Sequence, residues 1–139
     1  MSPEKTQQLI DVYPKLFQEM SPRSCMYLFG FECGDGWFDL LKECIEKIKT
    51  ICEKEDFVVF TPDDSGHIYI LQIKEKYGTL RFYVSSATDE IYNFIDEAEK
   101  KSAFTCERCG ANGKLRGDRF FIYTACDACE LLAQQSSCC

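Results

Sequence analysis

Apolar positions recur at helical spacing in three stretches of this chain and cluster at strand spacing between the second and third. Ser2-Pro3-Glu4 reads as an N-cap, a first-turn proline and a first-turn acid, opening a helix whose face is Leu9, Ile10, Val12, Tyr13, Leu16 and Phe17. Pro14 predicts a kink or break near Tyr13, and Ser21-Pro22 ends the element. Cys25 to Phe31 is a short apolar run, read as a strand closing at Gly30. Cys33-Gly34-Asp35-Gly36 is a turn, with Asp35 as the expected N-cap of the next helix. That helix, roughly 36–54, has the clearest period: Trp37, Phe38, Leu41, Cys44, Ile45, Ile48 and Cys52 inside, with Asp39, Lys42, Glu43, Glu46, Lys47 and Lys49 outside.

The middle of the chain reads as β. Phe57–Phe60 is an apolar run, and Pro62–Gly66 has turn chemistry. His67–Glu75 and Thr79–Ser85 form two strands joined at Tyr77-Gly78, where Gly78 can take positive φ. Leu80, Phe82 and Val84 share one face of the second strand, and Arg81 and Tyr83 the other. A third helix follows over roughly 89–103, capped by Thr88, with Ile91, Phe94, Ile95 and Ala98 as its stripe. A cysteine-rich segment ends in a short helix from about Asp127, and Gln134–Cys139 reads as a frayed tail. The expected fold class is α+β: a body over 1–103 with a small sheet packed by helices, a four-cysteine zinc-ribbon module over 104–133, and a tail over 134–139.

Composition adds two constraints. Aromatic residues make up 14% of 139, enough for a sizeable core, and no stretch approaches the length of an apolar membrane span. Net charge is -7, and the whole excess falls in residues 1–101. Residues 102–139 are neutral, with four acids against Arg108, Lys114, Arg116 and Arg119. An acidic body of this kind disfavours general nucleic-acid binding.

The cysteines carry the chemistry. Cys106-Glu-Arg-Cys109 and Cys126-Asp-Ala-Cys129 are two CxxC pairs separated by sixteen residues. A CxxC turn puts two sulfurs on one side of a tight knuckle, and two such knuckles supply the four tetrahedral ligands of one zinc ion. Lys114-Leu115-Arg116 and Phe120–Thr124 are the expected ribbon strands that return the second knuckle to the first. Four thiolates close the shell, so the zinc is read as structural; iron can use the same spacing. Among the other thiols, Cys44 and Cys52 fall on the apolar helix face, and Cys25 and Cys33 are read as reduced. Without an apolar leader the thiols fit a reducing cytoplasm, so cytoplasmic localisation is expected.

Several stretches together resemble one family: Gly30–Phe38 with its Gly-Asp-Gly-Trp turn, Lys74–Tyr83, Asp89–Tyr92, Cys106–Gly110 and Cys126–Cys129. It is a group of small, mostly uncharacterised proteins of tailed bacteriophages and prophages. The resemblance spans roughly residues 9–130. It implies a phage product working in bacterial cytoplasm, an accessory protein acting on a host protein or host signal. The tail over 134–139 departs from the family pattern.

Other candidates leave alternatives open. Lys74, Lys76, Tyr77 and Arg81 gather at the hairpin, either as a charged, solvated edge or as a pocket for an anionic ligand. Trp37 is either core or an aromatic lining such a site. Glu32, Asp35 and Asp39 are either capping acids or a carboxylate set. His67, the single histidine, reads as a turn residue, and no nucleophile elbow, HExxH or glycine-rich phosphate loop occurs. Cys138-Cys139 would matter as a prenylation end only in a eukaryotic cell. The leading expectation is a zinc-binding phage accessory protein that binds a host protein, as an inhibitor of host defence. The alternatives are a sponge for a nucleotide-like anion at Lys76, Tyr77, Arg81 and Trp37, and a ribbon that binds nucleic acid.

Overall fold

A computed structural model describes residues 1–17, 24–54 and 68–136. The expected Phe57–Phe60 strand, the Pro62–Gly66 turn, the Ser21-Pro22 stop, His67 and Cys138-Cys139 lie outside the described residues. The fold is α+β. Helix α1, Pro3–Val12, starts with proline in its first turn and stops ahead of Pro14, as the sequence predicts. A 3₁₀ turn, Pro14–Phe17, then carries Leu16 and Phe17 into the core.

Cys25–Phe29 is a helix, α2, and not the expected strand. The Ser24 hydroxyl accepts the Tyr27 N–H at 3.1 Å, and Gly30 at φ 61 stops the helix after five residues. An apolar run this short carries no period that separates helix from strand. Only Phe31–Glu32 is extended, as β1. Asp35 also departs from expectation: its carboxylate accepts the Ser2 N–H at 2.7 Å and caps no helix. A 3₁₀ turn, Asp35–Trp37, leads into α3, Phe38–Lys54, whose buried face is Leu40, Leu41, Cys44, Ile45, Ile48 and Ile51.

Strands β2, Ile70–Lys76, and β3, Thr79–Val84, form the expected hairpin. Tyr77 and Gly78 have φ 54 and 79, the paired positive values that a two-residue type I′ turn needs. β1 adds in parallel to β2, so the sheet order is β1-β2-β3. Leu80, Phe82 and Val84 face the core, and Arg81 and Tyr83 face outward. Helix α4, Asp89–Ser102, is capped by Thr88, whose hydroxyl accepts the Ile91 N–H.

α4 also closes the edge of the sheet. The buried Ser102 hydroxyl accepts the Leu80 N–H at 2.8 Å, and Glu99 accepts the Phe82 N–H at 3.0 Å. Two outward N–H groups of β3 are thus satisfied by a helix rather than left to solvent. The main core lies between this sheet and helices α1, α3 and α4.

After α4 come β4, Lys114–Gly117, β5, Ile122–Ala125, and α5, Asp127–Ser136. β4 and β5 pair antiparallel, Lys114 opposite Ala125. Two boundaries shift here. Phe120 and Phe121 stand in the connecting turn rather than in the strand, and α5 runs through 134–136, which the sequence reading placed in the tail.

Candidate metal centre

The first knuckle follows α4 directly. Cys106 N–H bonds Ala111 O at 2.7 Å and Gly110 N–H bonds Cys106 O at 2.9 Å, so the chain curls back on itself between the two cysteines and Ala111. Gly110 has φ 82, the left-handed value that this return requires. β5 carries the chain back, and Glu107 N–H bonds Thr124 O at 3.1 Å. Cys126 follows β5 and Cys129 lies in the first turn of α5, where Cys129 N–H points at Cys126 Sγ, 3.4 Å away.

The sulfurs of Cys106, Cys109, Cys126 and Cys129 all lie within 4.8 Å of one another, a cluster positioned to hold one metal ion. Cys106 and Cys126 are buried, Cys129 is half-buried and Cys109 is exposed. Burial would raise the Cys106 thiol, but backbone N–H groups of Cys126, Cys109 and Arg108 outweigh it and bring it to about 6. Its neighbour Cys129 moves the other way, to about 12, because Cys109 and Cys126 hydrogen-bond to it and a second thiolate would face existing negative charge. Four thiols in one shell cannot all ionise against each other; a bound cation removes that conflict.

The body grips this knuckle through its glycine turn. Gly34 N–H donates to Glu107 Oε1 at 3.0 Å, and Gly36 N–H donates to Glu107 O at 2.7 Å. Trp37 Nε1 donates to Thr105 O at 2.8 Å. A Cβ on Gly36 would overlap the Cys106 carbonyl, and one on Gly34 would overlap the Glu107 carbonyl. Burial raises the Glu107 carboxyl, while the Gly34 N–H opposes that shift. At the hairpin, the buried Thr124 hydroxyl donates to Gly78 O at 2.5 Å, and a Gly78 side chain would run into Leu115. The two glycine turns of the body are therefore seats for the ribbon.

This placement corrects one expected ligand contact. Trp37 is 0% exposed and its indole N–H is used, so it lines no open anion site. Lys76, Tyr77 and Arg81 do lie around the hairpin. Lys76 Nζ sits 5.6 Å from the centre of the exposed Tyr77 ring. Arg81 Nη1 instead turns back to Thr79 Oγ1, 2.7 Å, and to Leu80 O, 2.9 Å. Of the expected carboxylate set, Glu32 accepts from Gln72 and Asp35 from Ser2, each with its own partner. Glu107 and Thr124 are functional contacts that the sequence does not single out. The signal for Glu107 was its place inside the knuckle opposite a Gly-x-Gly turn; Thr124 had none.

Compared with known protein families, curated proteins and solved structures, the chain matches none. No helix among the described residues is long and apolar enough to cross a membrane.

Proposed function

We propose that this is a zinc-stabilised accessory protein of a tailed bacteriophage that works in the host cytoplasm by binding a host protein, as an inhibitor of host defence. The observation that carries the binding reading is the ribbon surface. The four-cysteine module, seated on the body by hydrogen bonds from Gly34 and Gly36 to Glu107, leaves Phe104, Leu115, Phe120, Phe121 and Leu131 exposed. Large apolar side chains on a rigid, water-facing module are what a protein partner covers.

Zinc suits the donor set. Tetrahedral thiolates at about 2.3 Å from zinc stand about 3.8 Å apart. Cys109 and Cys126 sulfurs are 3.6 Å apart, and the whole set fits within 4.8 Å. With four cysteine ligands no position is left for water, which supports a structural ion. The phage source rests on the resemblance of the Gly-Asp-Gly-Trp turn, the Lys74–Tyr83 strand and the two knuckles.

The test is elemental analysis of freshly purified, reduced protein, followed by pull-down from host lysate with native mass spectrometry. One zinc per chain and a retained host protein support the reading. Substoichiometric zinc removes the metal part, and a chain that retains only a small anion favours the sponge.

A further inference from the structure

We propose that the turn between β4 and β5 is a preformed anchor that inserts Phe120 into an apolar, carboxylate-rimmed pocket on a partner protein. The proposal rests on the partner-binding reading and names the site and the chemistry of its target. Phe120 is 86% exposed and Phe121 73%. Two adjacent phenylalanines in water are costly.

Their backbone is nevertheless fixed. One oxygen of Asp118 accepts both the Phe120 N–H, 2.8 Å, and the Phe121 N–H, 3.2 Å. Gly117, at φ 102, lets the strand turn there, and a Cβ would overlap the Phe121 carbonyl. The Phe121 ring packs on Tyr123 at 5.7 Å, and the Tyr123 hydroxyl donates to Glu130 on α5 at 2.8 Å. The tip is thereby tied to the helix that carries Cys129. With its backbone fixed, Phe120 has only its side-chain rotamers to lose on binding, which favours an energetic anchor.

Charge selects the partner. The Arg119 guanidinium lies 5.8 Å from the Phe120 ring centre. Asp118, the nearby acid, is turned inward to cap the turn. The tip thus presents an aromatic ring with a cation beside it, which fits an apolar pocket with acids on its rim. An arginine and an aromatic could also stack on bases, but the body's excess of negative charge opposes a phosphate backbone.

The test places a benzophenone amino acid at position 120 of the zinc-loaded full chain, irradiates it in host lysate and maps the adduct. The expected result is an adduct on a host protein within an apolar surface bearing Asp or Glu. Phe120→Ala should then weaken binding of that protein at least about tenfold. Arg119→Glu should weaken it more at low salt than at high salt. Cobalt spectra of both variants should match wild type, which separates anchoring from folding. Adducts only with nucleic acid, or only with a second copy of this chain, overturn the proposal. If wild type retains a host protein and Phe120→Ala retains it equally, the anchor falls and the partner-binding reading stands. If neither retains any protein, both fall.

Discussion

Cys33 and Cys44 are buried hydrophobes that happen to carry a titratable proton. Burial pushes both thiols from 9.0 up to about 12. The folded protein keeps a proton that the unfolded chain releases, so their stabilising contribution is complete below pH 9 and is lost as pH rises towards 12. Each thiol should remove about 1.4 kcal/mol per pH unit across that window. Denaturant melts between pH 8 and 11 check this, and the fall should flatten in a Cys33→Ala, Cys44→Ala variant. Both thiols should also alkylate far more slowly than the exposed Cys25 in the native protein. Ser102 is the other decisive single residue. Ser102→Ala leaves the Leu80 N–H without its partner inside the core, and should destabilise by about 1–3 kcal/mol in urea titration. A Ser102→Cys variant of similar shape should lose part of this, since sulfur is a weaker acceptor.

Among the elements, the turn at Gly34–Trp37 does the most. It joins α3 to β1, holds Ser2 through Asp35, and receives the first knuckle through two N–H groups and an indole. Gly36→Ala should force the knuckle away from the Cys106 carbonyl, because backbone rather than a flexible side chain stands in the way. The expected loss is about 1–3 kcal/mol, with the single tryptophan shifting to longer emission wavelength. Cobalt should still bind with a four-thiolate spectrum, since no ligand is touched; loss of that spectrum would mean that the seat forms the site rather than holding it. The hairpin turn at Tyr77-Gly78 acts similarly against the ribbon strands, through Thr124.

For the molecule as a whole, the four-cysteine site and the charge distribution set the behaviour. Because the knuckle bonds to the Trp37 turn, chelation should disturb more than the ribbon. A strong chelator should shift Trp37 emission and increase hydrogen exchange at Gly34–Trp37, not only at residues 104–136. Cys126→Ser should weaken metal binding by several kcal/mol, a part of the about 10–16 that such sites contribute. An unchanged tryptophan spectrum in metal-free protein would show that body and ribbon are uncoupled. The charge of -7 predicts no mobility shift of generic duplex DNA at nanomolar protein and physiological salt.

The helices over 36–54 and 89–103 were legible because their apolar residues repeat at three and four, and the Tyr77-Gly78 hairpin because glycine marks the turn between two β-rich runs. The four-cysteine cluster was legible because metal ligands must be spaced to meet, and that spacing survives in the primary sequence. Long-range partners were not. Cys25–Phe29 became helix through one serine cap, too small a signal for a five-residue run. Asp35 reached Ser2 instead of capping a helix, and Trp37 reached Thr105 instead of lining a pocket. The roles of Gly34, Gly36, Gly78, Ser102 and Glu107 arise from close approach between segments far apart in the chain, which local periodicity does not encode. Sequence determined the long helices, the hairpin and the four-cysteine cluster; the tertiary structure decided that the body's turns hold the ribbon, because hydrogen bonds and backbone clearance exist only once the pieces meet.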